Sequence, residues 1–258
     1  MNVDLLILGI CNITKLSYLH KALSNLDKSN FKFNKKILAI DEFDGLKFPE
    51  VFEMQYTNTG WSILIDQHKS RNKSLIHGLE EAESEWVFYS EDDIIVNIPK
   101  SLNFDDLMKE SDGRSPGIIS FSFGGTAVNL AENDVKDMAF AEENEIYSND
   151  EYFAYRRIES MRDNYFFEVP AVFVRKDLFL QCLDHASNKY REFQIEQALS
   201  LAWFELNLHK KFYKTSILKR EFLEYRKDSA LKIMNCRYFS ALDPYQGQFI
   251  HGGNTNIT

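Results

Sequence analysis

The sequence predicts an α/β protein built on a doubly wound, mostly parallel sheet. Two observations carry that expectation. Short, wholly apolar runs alternate with longer stretches in which apolar residues recur every three to four positions, the periods of buried strands and of helices packed on them. The apolar runs also stop at acids or turn residues, as strands do when their carboxyl ends open onto a rim where ligands bind.

Each element follows from its own pattern. Asp4–Ile10 (DLLILGI) is apolar after its first residue, as a central strand is. Leu16, Leu19, Ala22, Leu23 and Leu26 make a helical stripe, with Thr14 placed to cap it. Lys36–Ile40 reads as a second strand closed by the turn sequence Asp41-Glu42-Phe43-Asp44-Gly45. Phe52–Tyr56 is expected as a third strand. From Asp66 to Ala82 a second helical stripe runs through His68, Asn72, Leu75, Ile76, Leu79 and Ala82. Trp86–Pro99 (WVFYSEDDIIVNIP) then gives a strand that halts at Glu91-Asp92-Asp93 and resumes. Beyond it, Gly117–Phe123 and Phe166–Val174 read as strands, and Arg191–Leu208 as a helix. No linker interrupts the chain, so a single domain, 1–258, is expected, with 126–165 as an acidic insertion.

Composition narrows the function classes. A formal charge of −9 argues against binding polyanions with the whole surface. That charge is uneven: 126–165 holds ten acids and four bases, whereas 209–237 holds nine bases and three acids. The first segment reads as an acceptor-side loop or mobile lid, the second as a basic face open to phosphates or simply solvated. Cys11, Cys182 and Cys236 lack metal-type spacing and read as reduced thiols. The first apolar run has seven residues, too few for a signal core or a membrane span, so a cytoplasmic protein is expected.

The acid triplet is the strongest chemical signal. Three adjacent carboxylates at the end of a buried strand repel one another and lose hydration, a costly arrangement that a cation relieves. A hard divalent ion, Mn²⁺ or Mg²⁺, accepts carboxylate oxygens and leaves positions for water and phosphate. The alternative is an acidic turn between two surface strands.

Ser70-Arg71-Asn72-Lys73 opening a helix, followed about twenty residues later by a strand ending in Glu91-Asp92-Asp93, resembles the nucleotide-binding half of GT-A glycosyltransferases. The arginine–asparagine pair is similar to that of family 2 enzymes. The Glu-Asp-Asp form of the Asp-X-Asp motif resembles N-acetylglucosaminyltransferase I and the lipopolysaccharide-type transferases. The resemblance covers 1–125, the nucleotide-sugar-binding half, and leaves 126–258 as the acceptor-binding half. It implies a Rossmann-like three-layer sandwich with a mixed central sheet, and a metal-dependent enzyme using a nucleotide-diphosphate sugar, a UDP-sugar first.

By that resemblance Asp93 binds the metal directly, Asp92 assists through the metal's waters or the ribose, and Glu91 lies nearer the sugar or ribose. Asp41 accepts hydrogen bonds from a uracil-type N–H or ribose hydroxyls; as a plain turn former it would do neither. Arg71 pairs with the diphosphate and Asn72 with the donor or nearby backbone; a surface arginine and a helix-capping asparagine are the plainer roles. An inverting reaction needs a carboxylate base, and the helix from Arg191 offers Glu192 and Glu196, although the second acid expected beside Glu196 is Gln197. Acids in a first turn also serve the helix dipole alone. His251, in Phe249-Ile250-His251-Gly252-Gly253, is the C-terminal histidine that several such families bring onto the metal.

The acceptor is expected to be a saccharide, lipid-linked or protein hydroxyl, with modified DNA disfavoured by the negative charge. Two rivals remain. A sugar-phosphate nucleotidyltransferase would want a glycine-rich basic loop after the first strand, where Gly9-Ile10-Cys11-Asn12-Ile13-Thr14 supplies one glycine. A non-catalytic module would keep the fold and use the acids for a structural ion.

Overall fold

The computed structural model describes residues 2–10, 16–42, 46–67, 71–92, 94–96, 98, 100–111, 113–120, 145–157, 171–190, 195–219 and 249–251. Its elements run β1 (Val3–Ile10), α1 (Leu16–Asp27), β2 (Lys36–Glu42), α2 (Glu50–Asn58), β3 (Trp61–Gln67), α3 (Arg71–Glu81), β4 (Trp86–Glu91), β5 (Ile94–Val96), α4 (Phe104–Leu107) and β6 (Ser115–Ser120). There follow β7 (Glu145–Ser148), β8 (Tyr152–Arg157), β9 (Val172–Arg175), α5 (Lys176–Lys189), α6 (Ile195–Glu205), β10 (Phe212–Lys219) and β11 (Phe249–His251).

Among the described residues nine strands form one sheet in the order β3-β2-β1-β4-β9-β6-β10-β8-β7. Only β9 and β8 run against the rest, so the sheet is mixed and mostly parallel. The order reverses direction after β1, and the β4 edge of that reversal is where acids accumulate. β11 and β5 make a separate two-stranded ribbon.

Two apolar layers clothe the sheet. On one face Leu19, Leu23 and Leu26 of α1, Tyr56 of α2 and Phe104 of α4 pack on Leu5, Ile7, Leu38, Ile40 and Phe88. On the other, Leu75 and Leu79 of α3, Leu178 and Phe179 of α5 and Leu199 and Trp203 of α6 pack on Leu6, Ala39, Val87 and Tyr89. This is the three-layer α/β sandwich expected from the alternation of strand and helix. Each buried Leu, Ile or Phe contributes about 1.5–3 kcal/mol, so both faces are needed to hold the sheet.

At the amino ends of the strands, buried Asp4 ties β1 to both neighbouring loops. Its carboxylate accepts from Asn34 Nδ2 (3.0 Å), the Lys35 N–H (3.1 Å), the Ser84 N–H (2.7 Å) and the Ser84 hydroxyl (2.7 Å). Burial pushes this carboxyl up, but the donors of Ser84, Asn34 and Glu83 outweigh it and hold it below the ordinary value.

Several expectations are corrected. Phe52–Tyr56 is not a strand: it lies within α2, and Trp61–Gln67 is the third strand. Glu50, Val51 and Gln55 face solvent while Tyr56 is buried, a one-sided pattern that a helix satisfies and a two-sided strand between helices does not. The second helix starts at Arg71, and Asp66 and Gln67 belong to β3. Its buried residues are Ser74, Leu75, Gly78 and Leu79, so the stripe is centred away from Asn72. Thr14 and His68 lie outside the described residues. The acidic stretch 126–165 contains, at 145–157, a hairpin at the edge of the main sheet. The basic stretch begins in a short 3-10 turn, Leu208–Lys210, and continues as β10, flanked on both sides, with Lys214 fully buried. The α5 helix, opened by the dipole-favouring Asp177, was not anticipated.

Candidate functional site

Parallel strands deliver their carboxyl ends to one rim. Ile10 of β1 is in register with Asp41 of β2, Asp41 with Asp66 of β3, and Leu8 of β1 with Glu91 of β4. Alternation along each strand fixes the faces. Asp41 follows Ile37 and Ala39, and Glu91 follows Val87 and Tyr89, all on the α3 face. Asp66 takes the same face, two residues after Leu64. Three acids on three strands therefore gather beneath the amino end of α3.

Each has a defined setting. Glu91 is half-buried, forms an ion pair with Arg71 from the first turn of α3, and accepts from the Tyr89 hydroxyl at 3.3 Å. Asp66 is 2% exposed and its carboxylate accepts from Nδ1 of His77, one and a half turns into α3, at 3.1 and 3.2 Å. Asp41 is buried. The adjacent Glu42 points to the opposite face and is committed to local structure, accepting the Phe48 N–H at 2.8 Å. Of the two acids ending β2, Asp41 is the one aimed at the rim.

The triplet is split by the same alternation. Asp92 is buried, its N–H donates to the Leu8 carbonyl at 3.0 Å, and its side chain lies over Gly9. A Cβ at position 9 would stand 3.6 Å from the Asp92 Cβ, 3.7 Å from its Oδ2 and 2.7 Å from Ile40 Cδ1. The close approach that calls for glycine at the end of β1 is that of Ile40, whereas the distances to Asp92 are ordinary van der Waals contacts. Glu91 and Asp92 thus diverge, one to a guanidinium on the α3 face and one over β1, which relieves much of the repulsion that three adjacent carboxylates imply.

The other expected residues fall as follows. Arg71 is engaged by Glu91 rather than standing clear of the acids. Asn72 occupies the first turn of α3 and is half-buried. His251 ends β11, whose register places it opposite Ile94, the residue immediately after the triplet. The chain thereby returns its C-terminal histidine to the acid rim by backbone pairing alone. Glu196 is the second residue of α6, in the helix's first turn. Asp93 and Glu192 lie outside the described residues.

Asp66 and His77 were missed from the sequence. The available signal was an apolar run ending in an acid, WSILID, the pattern that identified Asp41; reading Phe52–Tyr56 as the strand hid it. Among the described residues no group of three or more His, Cys, Asp or Glu side chains is gathered as a metal would require. Carboxylates do make up the rim's donor set, which suits a hard divalent cation better than a soft one. No helix among the described residues is long and apolar enough to cross a membrane.

No protein-family model and no curated protein matches the sequence. Solved structures do. Staphylococcus aureus TarS is 13% identical with a TM-score of 0.49, over 83% of this chain and 36% of that one. TarS 1–349 in complex with UDP-GlcNAc is 13% identical with a TM-score of 0.46, over 84% and 58%. The apo-form glycosyltransferase GlyE of Streptococcus pneumoniae TIGR4 is 9% identical with a TM-score of 0.43, over 83% and 45%. The chain thus spans less than two thirds of these proteins, and identities this low bear on no residue's role.

Proposed function

We propose that this chain is a GT-A-type glycosyltransferase that moves a sugar from a nucleotide-diphosphate donor, a UDP-sugar first, to an acceptor hydroxyl with inversion. One observation carries the reading. Asp41, Asp66 and Glu91 end β2, β3 and β4 on the α3 face, and Asp92 follows β4 on the opposite side over β1. All lie at the carboxyl rim that includes the reversal of strand order between β1 and β4, with Arg71 and Asn72 at the amino end of α3. Ligands of open α/β sheets bind at such a reversal, and a helix start favours an anionic group beside it.

In this reading Asp41 and Glu91 receive ribose or base hydrogen bonds, and Arg71 and Asn72 border the diphosphate. Asp92, Asp93 and His251 hold Mn²⁺ or Mg²⁺, which when bound neutralises the departing diphosphate. Arg71 has two anionic claimants, the Glu91 carboxylate and the donor's phosphates. Donor arrival would therefore loosen the Arg71–Glu91 pair and free Glu91 for the sugar. The carboxylate base comes from Glu196 or Glu192 at the start of α6, and the acceptor is a saccharide, lipid-linked or protein hydroxyl.

The test is calorimetric titration of UDP with and without Mn²⁺ on wild type and Asp93→Ala. We expect binding that requires the metal and falls at least tenfold in the variant, a loss of about 1.4 kcal/mol. Metal-independent binding untouched by Asp93→Ala would overturn the assignment of the triplet.

A further inference from the structure

We propose that His77 is a positioning residue for the donor site: its imidazolium neutralises Asp66 and so keeps Asp41, beside Asp66, ionised and able to accept a hydrogen bond. What Asp41 then binds rests on the donor-site reading; the charge arrangement does not.

Asp41 and Asp66 are direct partners in the β2–β3 register and lie on the same face of the sheet. Neighbouring strands are about 5 Å apart, so the two carboxylates stand abreast. Both are buried, Asp41 at 6% and Asp66 at 2% exposed. Each disfavours ionisation of the other, and withdrawal from water disfavours both. Left to themselves the two would hold a proton between them. A protonated Asp41 presents a donor where an N–H of a nucleobase needs an acceptor.

The opposing charge comes from α3. Nδ1 of His77 donates to the Asp66 carboxylate, 3.2 Å from one oxygen and 3.1 Å from the other. The His77 side chain is 44% exposed, so an imidazolium there keeps part of its hydration while its partner is buried. Other charges near it are accounted for locally. On α3, Lys73 lies a turn before His77, and Glu80 and Glu81 a turn after it; Glu81 is paired with Lys35 at 2.6 Å. β1 meets α3 through the apolar Leu6. α5 brings Lys176 to the far end of α3, where it donates to the Ala82 carbonyl at 2.8 Å. The carboxylates that face His77 from the sheet are Asp66 and, next to it, Asp41.

The test compares wild type, His77→Gln, His77→Arg and Asp66→Asn/His77→Gln. Glutamine keeps a donor without the charge, arginine keeps the charge, and the double variant removes the second acid. Carbon-13 NMR follows Asp41 in the free protein, and calorimetry follows UDP binding with Mn²⁺ across the same acid range. We expect the Asp41 transition to move up by about one pH unit in His77→Gln and to return in the other two variants. The pH below which UDP affinity falls should move with it; titration of UDP itself is common to all four proteins and cancels. An Asp41 transition unmoved by His77→Gln would overturn the proposal, as would a shift that neither arginine nor Asp66→Asn reverses. A shift reversed by both supports it even if wild type binds no UDP, a result that would overturn the donor-site reading alone.

Discussion

Asp4 shows how a single carboxylate can hold a fold at the end away from its chemistry. It is fully buried yet accepts hydrogen bonds from both loops that flank β1, and the ionised form accepts them on both oxygens, a capacity that protonation of one oxygen reduces. Removing a buried acceptor leaves several donors unsatisfied, so Asp4→Ala should destabilise the protein by roughly 3 kcal/mol. The pH dependence has a definite sign. The folded-state pKa lies below the unfolded one, so Asp4's stabilisation is complete above the ordinary carboxylate range and is lost as pH falls through the folded value. Urea melts should therefore show the gap between wild type and Asp4→Asn narrowing in acid. A gap that stays constant from neutral pH into strong acid would contradict the account. At the rim the same chemistry is arranged differently, since Glu91 meets a guanidinium and Asp66 an imidazole. These are partners that a ligand can exchange, whereas the backbone donors around Asp4 are fixed.

The α3 helix, whose first turn borders the proposed site, lies close to the sheet, and Gly78 sets that closeness. A Cβ there would come within 2.5 Å of Leu6 Cδ1 and 3.3 Å of Ala39 Cβ. Leu6 could swing its methyl aside, but Ala39 has no freedom short of moving β2. Alanine would gain about 1 kcal/mol of helix propensity and lose about 1–3 kcal/mol to overpacking. We expect the second effect to win, so Gly78→Ala should lower the melting temperature and weaken UDP binding together, as α3 and its Arg71 are pushed off the rim. A melt unchanged or raised would show that the helix is not seated as described. The mistaken strand at Phe52–Tyr56 belongs to this level as well. Phe, Glu, Met, Gln and Tyr suit either conformation over so short a run, and packing of Tyr56 against Trp61 and His20 decides for the helix.

Across the whole molecule, Cys182 reports whether the two apolar layers open together. Its thiol is fully buried between α5 and the sheet, and burial pushes its pKa far up. In a Cys11→Ser/Cys236→Ser background, alkylation of Cys182 should be suppressed at neutral pH and should follow global unfolding in urea. Labelling well before the main transition would mean that the α5–α6 layer detaches first. The three-layer architecture was legible from the alternation of apolar runs and stripes, because the core must be apolar wherever it lies. The places of Asp41 and Glu91 at strand ends were legible too, because the apolar runs stop there; the roles given to them remain part of the proposal. What local pattern could not contain was which strands adjoin. The insertion of antiparallel β9 beside β4, the return of β11 to the residues after the triplet, and the burial of Lys214 in a stretch read as a solvated basic face all depend on partners far along the chain. So does the pairing of Arg71 with Glu91, twenty residues apart, which only the parallel crossover from α3 to β4 brings into contact. Periodicity is written in neighbouring residues, whereas strand order and ion pairing are settled by the free energy of contacts between distant ones.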